Sequence, residues 1–359
     1  MKLMRRYYMK EFAKLLGIIA FGLALIFSLL DMIDKIDDFV PGRMSILDFI
    51  HYAALNLPKY LYYLLPMSLL ICSLFVFSQA SRYKEIIVIK SAGGRLKGLF
   101  SQFILLGVLF SLFSFFLGEF VMPNFSERAL DLRKRFMKGG EKLSFKEGTL
   151  WLRAKDGALV RMELYIPDSK RARGVSIFMI DTSSLKKRVE AEEAFWDKKQ
   201  GTKGMWKLKN VMVYEIKEGT VTAIPEMDYT QLESPDLFSR SLKAIDEMGI
   251  KELYKYTKRL QNAGVNNTKL IVDLNSKISY PLTNLFLMLL GISFSVMGRV
   301  GGGLFAAGLG FFISFLYWLA YTFVLSMGYA RVLPPVFAAW TVPVLFGGVA
   351  AYLFHKIPE

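Results

Sequence analysis

The chain has 359 residues, 53% of them hydrophobic, and its 46 Lys and Arg against 31 Asp and Glu give a formal charge of +15. Several uncharged runs of about twenty residues or more make it an integral membrane protein rather than a soluble enzyme, and a single cysteine, Cys72, leaves neither a disulfide framework nor a thiolate metal site. The charge does not point to nucleic acid: part of it flanks apolar runs, and the hydrophilic stretch 122–269 has 29 basic and 21 acidic residues, a balance that suits an anionic ligand, a membrane surface or an ordinary soluble surface.

Residues 1–14 (MKLMRRYYMKEFAK) are basic with paired tyrosines, the pattern of a cytoplasmic flank. Leu15 to Leu30 carries no charge, is longer than the apolar core of a signal peptide and has no small-residue cleavage motif after it, so it is expected to stay as the first transmembrane helix. That run is short for a bilayer, and Met32 and Ile33 must extend it. DMIDKIDDF then places Asp31, Asp34, Lys35, Asp37 and Asp38 at the outer end, either as ionisable groups held at membrane depth for a function or as ordinary acids at an exterior helix end.

Asn56 to Ser81 returns inward, with Pro66 as an expected kink. Between it and the next apolar run lies RYKEIIVIKSAGGRLK (82–97), where Arg82, Lys84, Lys90, Arg95 and Lys97 against Glu85 mark a cytoplasmic loop. Glu85, Val88, Ile89 and Ala92 fall at helical spacing before Gly93-Gly94 closes a helix over 82–94. Its apolar knob either docks into a soluble partner or lies on the headgroups. Gly98 to Gly118 goes out again, and Glu119 and Met122-Pro123 mark the outer boundary, so 1–122 is the first membrane unit.

Beyond a charged, helix-like stretch (124–142), the period changes to two. Ala158, Val160, Met162, Leu164 and Ile166 form one alternating set, and Trp206, Leu208, Met212, Tyr214 and Ile216 another. Turn signals such as Asp156-Gly157, Pro167-Asp168 and Glu218-Gly219 separate at least six short strands, so 123–248 is expected to be an exterior all-β sandwich or jelly-roll domain. It contains no histidine and no converging nucleophile, base and acid, which favours binding or conduction over catalysis.

Residues 249–359 return to the membrane. GIKELYKYTKRLQNA (249–263) reads as a basic amphipathic helix whose Lys251, Lys255 and Lys258 meet headgroups. Ile278 to Gly298, Val300 to Ala330 and Val336 to Phe354 supply three more spans, with Arg299 in a short cytoplasmic turn. The fold class is thus six transmembrane helices with both termini inside and an inserted β domain outside. Gly301 to Gly303, Ala306, Ala307, Gly308 and Gly310 suit close helix packing or sliding contacts. The two histidines, His51 and His355, lie on opposite sides of the membrane, which leaves no metal cluster to propose. The chain has no G-x-x-x-x-G-K-[ST] phosphate loop, so a permease driven by a separate ATPase fits better than an enzyme, with no cofactor of its own.

In that setting, several pieces resemble one family. They are YKEIIVIKSAGG, GTLWLRAKDGALVRMELY, GVSIFMID, KGMWKLKNV and ELYKYTKRLQNAG followed by KISYPLTNLFLMLLGISF, whose order and spacing run over essentially the whole chain. The chain is similar to the LptF/LptG lipopolysaccharide-export permeases of the inner membrane, and GTLWLRAKDG and KYTKRLQNAG are nearer the G-type branch. The resemblance implies pairing with a second LptF/LptG-type permease, a cytoplasmic LptB-like ABC ATPase dimer that binds the ATP, and an LptC-like bitopic partner receiving lipopolysaccharide through stacked jelly rolls. It implies that Glu85 engages the ATPase, with Arg82, Ile86, Ile89, Ala92 and Gly93 beside it. It also implies lipid-phosphate contacts near the outer end of the first helix, where this chain offers Lys35, among acids, or Arg43. A permease for another lipid or lipoprotein, and a membrane scaffold that transports nothing, are the alternatives.

Overall fold

The computed structural model describes residues 2–36, 45–93, 96–136, 144–146, 149–166, 169–181, 184–197, 204–216, 219–232, 235, 248–262, 267–297 and 302–357. Arg43, Asp37, Asp38, Arg299 and the Pro167-Asp168 turn of the sequence reading lie outside them. Among the described residues six helices are long and apolar enough to cross a membrane, as expected, and an antiparallel sheet is inserted between the third and fourth.

The short first apolar run is solved by continuity. A single helix, α1 (Lys2–Asp34), extends from the basic flank through the apolar run to the acids, and at about 1.5 Å per residue its 33 residues exceed the thickness of a bilayer core. Then follow α2 (Ile46–Arg82), a short α3 (Glu85–Ser91), α4 (Leu96–Phe116), a π-helical turn (Leu117–Val121) and α5 (Met122–Phe136). After the sheet come α6 (Ile250–Asn262), α7 (Thr268–Ser279), a 3-10 turn (Tyr280–Leu282), α8 (Thr283–Met297), α9 (Gly303–Tyr329) and α10 (Pro335–His355).

α2 is the hub of the membrane half. It contacts α1, α8 and α9, and 78% of its apolar window is buried, against 22% for the spans built on α1, α4–α5 and α9. Ser45 and Asp48 form a capping box at its start. Its buried hydroxyls bond back to their own helix, Ser68 Oγ to the Leu64 carbonyl at 2.9 Å and Ser73 Oγ to the Leu69 carbonyl at 2.7 Å, so no hydroxyl is left unsatisfied at these two positions. Small residues set the approach of its neighbours. A Cβ on Gly291 of α8 would come 2.7 Å from Ser73 Cβ, and one on Gly310 of α9 would come 3.1 Å from Ile71 Cα. Of the small residues near the start of α9, Ala306 and Gly310 pack inward, whereas Gly308 meets open space.

The sheet is a meander of seven strands in chain order: β1 (Ser144–Lys146), β2 (Thr149–Arg153), β3 (Leu159–Ile166), β4 (Arg171–Asp181), β5 (Ser184–Asp197), β6 (Met205–Glu215) and β7 (Thr220–Tyr229). It curls until the end of β7 reaches the turn between β2 and β3. The Lys155 N–H donates to the Gln231 carbonyl at 3.0 Å, and the buried Tyr229 hydroxyl donates to Asp156 at 3.1 Å; burial and the Asp156 carboxylate push that phenol's pKa well above its ordinary value. Val160, Met162, Val175, Ile177, Val189, Trp206, Leu208, Val211 and Val213 fill the interior.

Simple alternation does not hold along the whole strands. One position on each of five neighbouring strands is left out of the ladder: Glu163, Gly174, Glu192, Asn210 and Pro225, side by side. Gly174 and Asn210 have left-handed backbones (φ 62° and 51°), and Asn210 Nδ2 donates to Glu192 at 2.6 Å. Across this crease the inward set shifts phase, from Val213 and Val211 to Leu208 and Trp206 on β6. Met212 and Ile216, expected inside, are each 49% exposed. On β3 the shift sends Leu164 and Ile166 out of the sheet interior and onto α6.

α6 has the amphipathic pattern read in the sequence, and Lys251, Lys255 and Lys258 are exposed. Its apolar face, however, is buried against protein. Leu253, Tyr256 and Leu260 pack on Leu164 and Ile166 of β3 and Leu270 of α7, so α6 joins sheet to membrane helices.

Candidate functional site

The loop between the second and third spans is built by two left-handed residues. Lys84 (φ 59°) turns the chain out of α2 into α3, and Gly93 (φ 75°) turns it out again, its N–H bonding the Lys90 carbonyl at 2.9 Å. Between them EIIVIKS makes a helix of two turns whose two faces differ. Ile86 and Ile89 are buried with Phe12, Phe77, Leu96 and Phe100. Ile87 and Val88 are 60% and 61% exposed, and Ala92 and Gly93 are exposed beyond them. The surface offered outward is therefore Ile87 and Val88 with Ala92 and Gly93. Ile86 and Ile89, which the resemblance sets beside Glu85, are instead buried in the chain's own core and clamp the helix to the bundle.

Glu85 faces inward at the start of α3, where the Tyr8 hydroxyl of α1 donates to it. Tyr7, Tyr8, Glu11, Phe75, Tyr83 and Glu85 help to line a cavity of about 250 Å³ between α1, α2 and α3. Arg82 lies beside the α9 start instead, where a Cβ on Gly302 would come 2.4 Å from its Nη1. Of the residues expected to act together, Ala92 and Gly93 thus share the loop surface, while Glu85 turns inward to Tyr8 and Arg82 turns toward α9.

At the C-terminal end of α1, Lys35 Nζ is held by Asp31 at 2.7 Å, one turn earlier, and the Tyr52 hydroxyl also donates to Asp31. Nothing in the run DMIDKIDDF separates this pairing from a free lysine, since acids stand on both sides of Lys35.

One connection escaped the sequence reading. Glu119, in the π turn, accepts the backbone N–H of Ile250 at 2.5 Å and of Lys251 at 3.4 Å, capping α6 from another element. The partners are 131 residues apart, and the local sequence holds no signal for it.

The membrane half exposes wide apolar faces. Ile18, Phe21, Leu25 and Ile33 on α1 and Phe311, Phe312, Phe315 and Trp318 on α9 stand outward, opposite the inward stripe Ala306, Gly310, Ser314, Tyr317 and Tyr321 of α9. Such faces suit lipid or a second subunit.

The family model described as lipopolysaccharide export system permease LptF/LptG matches residues 6–356. Among curated relatives, the lipopolysaccharide export system permease protein LptG of Haemophilus influenzae is 24% identical over 318 residues, 85% of either chain. That of Escherichia coli K12 is 23% identical over 293 residues, 80% of either chain. With six spans, an inserted antiparallel sheet and a match from end to end, the chain belongs to the LptF/LptG family of permeases.

Proposed function

We propose that this chain is the permease subunit of an ATP-driven exporter that lifts lipopolysaccharide out of the inner membrane and hands it to a β-domain bridge. The observation that carries the reading, beyond family membership, is the α3 surface: an apolar pair, Ile87 and Val88, held outward on a helix clamped by Ile86 and Ile89. An apolar knob in a charged loop between two spans fits the groove of a soluble ATPase. The chain itself has no phosphate loop. The partners on this reading are an LptB-like ATPase dimer, a second LptF/LptG-type permease and an LptC-like bitopic protein. The loop and both termini are cytoplasmic and the sheet is periplasmic, in keeping with the basic residues of 1–14 and 82–97.

Lipid enters sideways along the exposed faces of α1 and α9. Moving an acyl chain among apolar side chains changes little, but exposing it to water costs about 0.8 kcal/mol per CH₂, so the apolar inner side of the curled sheet receives the chains. Lys35 contributes by exchanging Asp31 for a lipid phosphate, which keeps its charge paired throughout. Glu85 and the outward pair pass ATPase closure to the bundle.

The test is affinity purification of the tagged chain from its native membrane in mild detergent, with mass spectrometry of proteins and lipids. Recovery of an ABC ATPase, a second six-span permease and lipopolysaccharide is expected; recovery of the chain alone, in a detergent that preserves other ABC complexes, would sink the reading. Ile87→Asp with Val88→Asp is expected to lose the ATPase while the thermal midpoint stays put. Ile86→Asp is expected to lose the fold. Should Glu85→Ala leave assembly and transport-linked ATP hydrolysis unchanged, Glu85 is no part of the docking surface.

A further inference from the structure

The π turn is the unusual element of the third span. Along α4 and α5 the buried positions run Ser111, Ser114, Leu117, then Met122, Ser126, Ala129 and Leu132. The steps are three or four residues everywhere except at Leu117 to Met122, which is five. One extra residue is therefore wound into the turn Leu117–Val121, the form in which π helix occurs inside longer helices, often at functional positions. Its effect is a rotation of about 100° in everything beyond it. Met122 then packs with Leu117 on Tyr62 of α2, and a Cβ on Gly118 would come 2.9 Å from that ring, so the turn is fitted closely to the bundle. Within the turn, Glu119 accepts the first two N–H groups of α6.

α6 in turn grips the sheet. Leu253, Tyr256 and Leu260 pack on β3, and the Tyr256 hydroxyl reaches the Tyr165 carbonyl at 3.4 Å. At the other end of the span, α4 begins directly after α3 and touches it. A single rod thus runs from the cytoplasmic docking helix to Glu119, and from Glu119 one charged contact leads to the element that holds the sheet.

We propose that Glu119 is a positioning residue that pins the third span to α6, so that movement begun at α3 displaces the sheet together with the rod. The proposal rests on the export reading above, and it assigns to the π turn the task of aiming the pin. A carboxylate on a helix N-terminus suits this task because both bonds are charge-assisted and share one side chain, so the two elements cannot slide without losing both.

A cap and a pin are separable. Glu119→Ala removes both. Adding Gly249→Asp gives α6 a cap from its own N-cap position, where the Gly249 carbonyl already accepts the Leu253 N–H at 2.9 Å, and restores no hydrogen bond to the span, although its Cβ would stand 3.3 Å from the Glu119 carbonyl oxygen. In the full complex reconstituted in vesicles with lipopolysaccharide, Glu119→Ala should keep its ATPase rate and deliver about tenfold less lipid per ATP, on the scale of residues that carry energy between distant sites. Hydrogen exchange should show α6 loosened in the single variant and protected again in the double one. Delivery should remain low in the double variant. Restored delivery there would reduce Glu119 to a structural cap, and undiminished delivery in Glu119→Ala would remove it from the mechanism altogether.

A second arm needs no transport. Spin labels on Phe116→Cys and Tyr254→Cys, both exposed positions, in a Cys72→Ser background should give one narrow distance with and without nucleotide, and a broadened one in the double variant. An identical distribution in both overturns the pin. If the wild-type complex hydrolyses ATP and moves no lipid, the export reading falls, and the spin-label result still decides the pin.

Discussion

The sheet and the membrane half of this chain use apolar residues in opposite ways. In the sheet, apolarity marks the inside: Trp206 is fully buried and Val160, Met162 and Val175 stand around it. In the membrane half, Trp318, Phe311 and Phe312 are as apolar and are more than half exposed. The reason is the solvent. Water drives apolar groups inward, whereas lipid tails are as apolar as leucine and leave packing and polar satisfaction to decide which face turns in. In the bundle, then, large apolar residues stand on both faces, Phe12, Phe77, Phe100 and Phe103 inside and Trp318 and Phe311 outside, and what marks the inside is the small and polar residues found with them, Gly291, Gly310, Ser73 and Asn284.

The sharpest way to break this comparison is a pair of tryptophan truncations. Trp206→Ala should cost about 3–5 kcal/mol of sheet stability, read as a lowered thermal midpoint, whereas Trp318→Ala should stay within about 0.5 kcal/mol of the parent. Equal losses would show that α9 is not lipid-facing. Next in size, Gly291→Leu drives side-chain atoms into Ser73 and the Leu70 carbonyl and should cost about 1–3 kcal/mol. Gly308→Leu, two residues from Gly310 but facing open space, should leave the detergent-solubilised melting curve where it was.

A smaller effect probes the crease. Asn210→Val places a β-branched residue at φ 51° and should cost about 1–2 kcal/mol, with Asn210→Gly close to neutral; denaturant midpoints measure both, and a benign valine would mean the backbone there relaxes freely. Smallest is Ser73→Ala, which deletes one back-bonded hydroxyl and should shift stability by about 0.6 kcal/mol. A much larger loss would mean that the hydroxyl serves another helix too.

The spans, the inserted sheet and the loop that carries Glu85 were legible because each rests on long runs of one character: uncharged residues, alternating residues, clustered Lys and Arg. The failures are phase errors and distant partners. In EIIVI four of five residues are apolar, so a two-turn helix could present Ile86 and Ile89 or Ile87 and Val88; the neighbouring Phe12 and Phe77 decide, and they come from other elements. On β6 the alternation Trp206, Leu208 was carried on to Met212 because nothing local announces that Asn210 changes phase. That change becomes visible only when Glu163, Gly174, Glu192 and Pro225 are laid beside it. Lys35 was recognised as flanked by acids, but which of them holds it depends on the helix continuing past Asp31. Glu119 was read as a boundary mark, and its partners could not be guessed across the whole β domain.

The crease also bears on mechanics. Ladder hydrogen bonds are what make a sheet stiff across its strands, and here five adjacent strands leave out the same rung. Resistance to bending is therefore lowest along one straight line through the wall of the domain. The curl is expected to tighten or relax about that line while the paired rungs to either side hold, a bulge at Met179/Ile180 between β4 and β5 being a further irregularity. A sheet paired in this way is expected to bend first at its seam, with the parts on either side the stiffer ones.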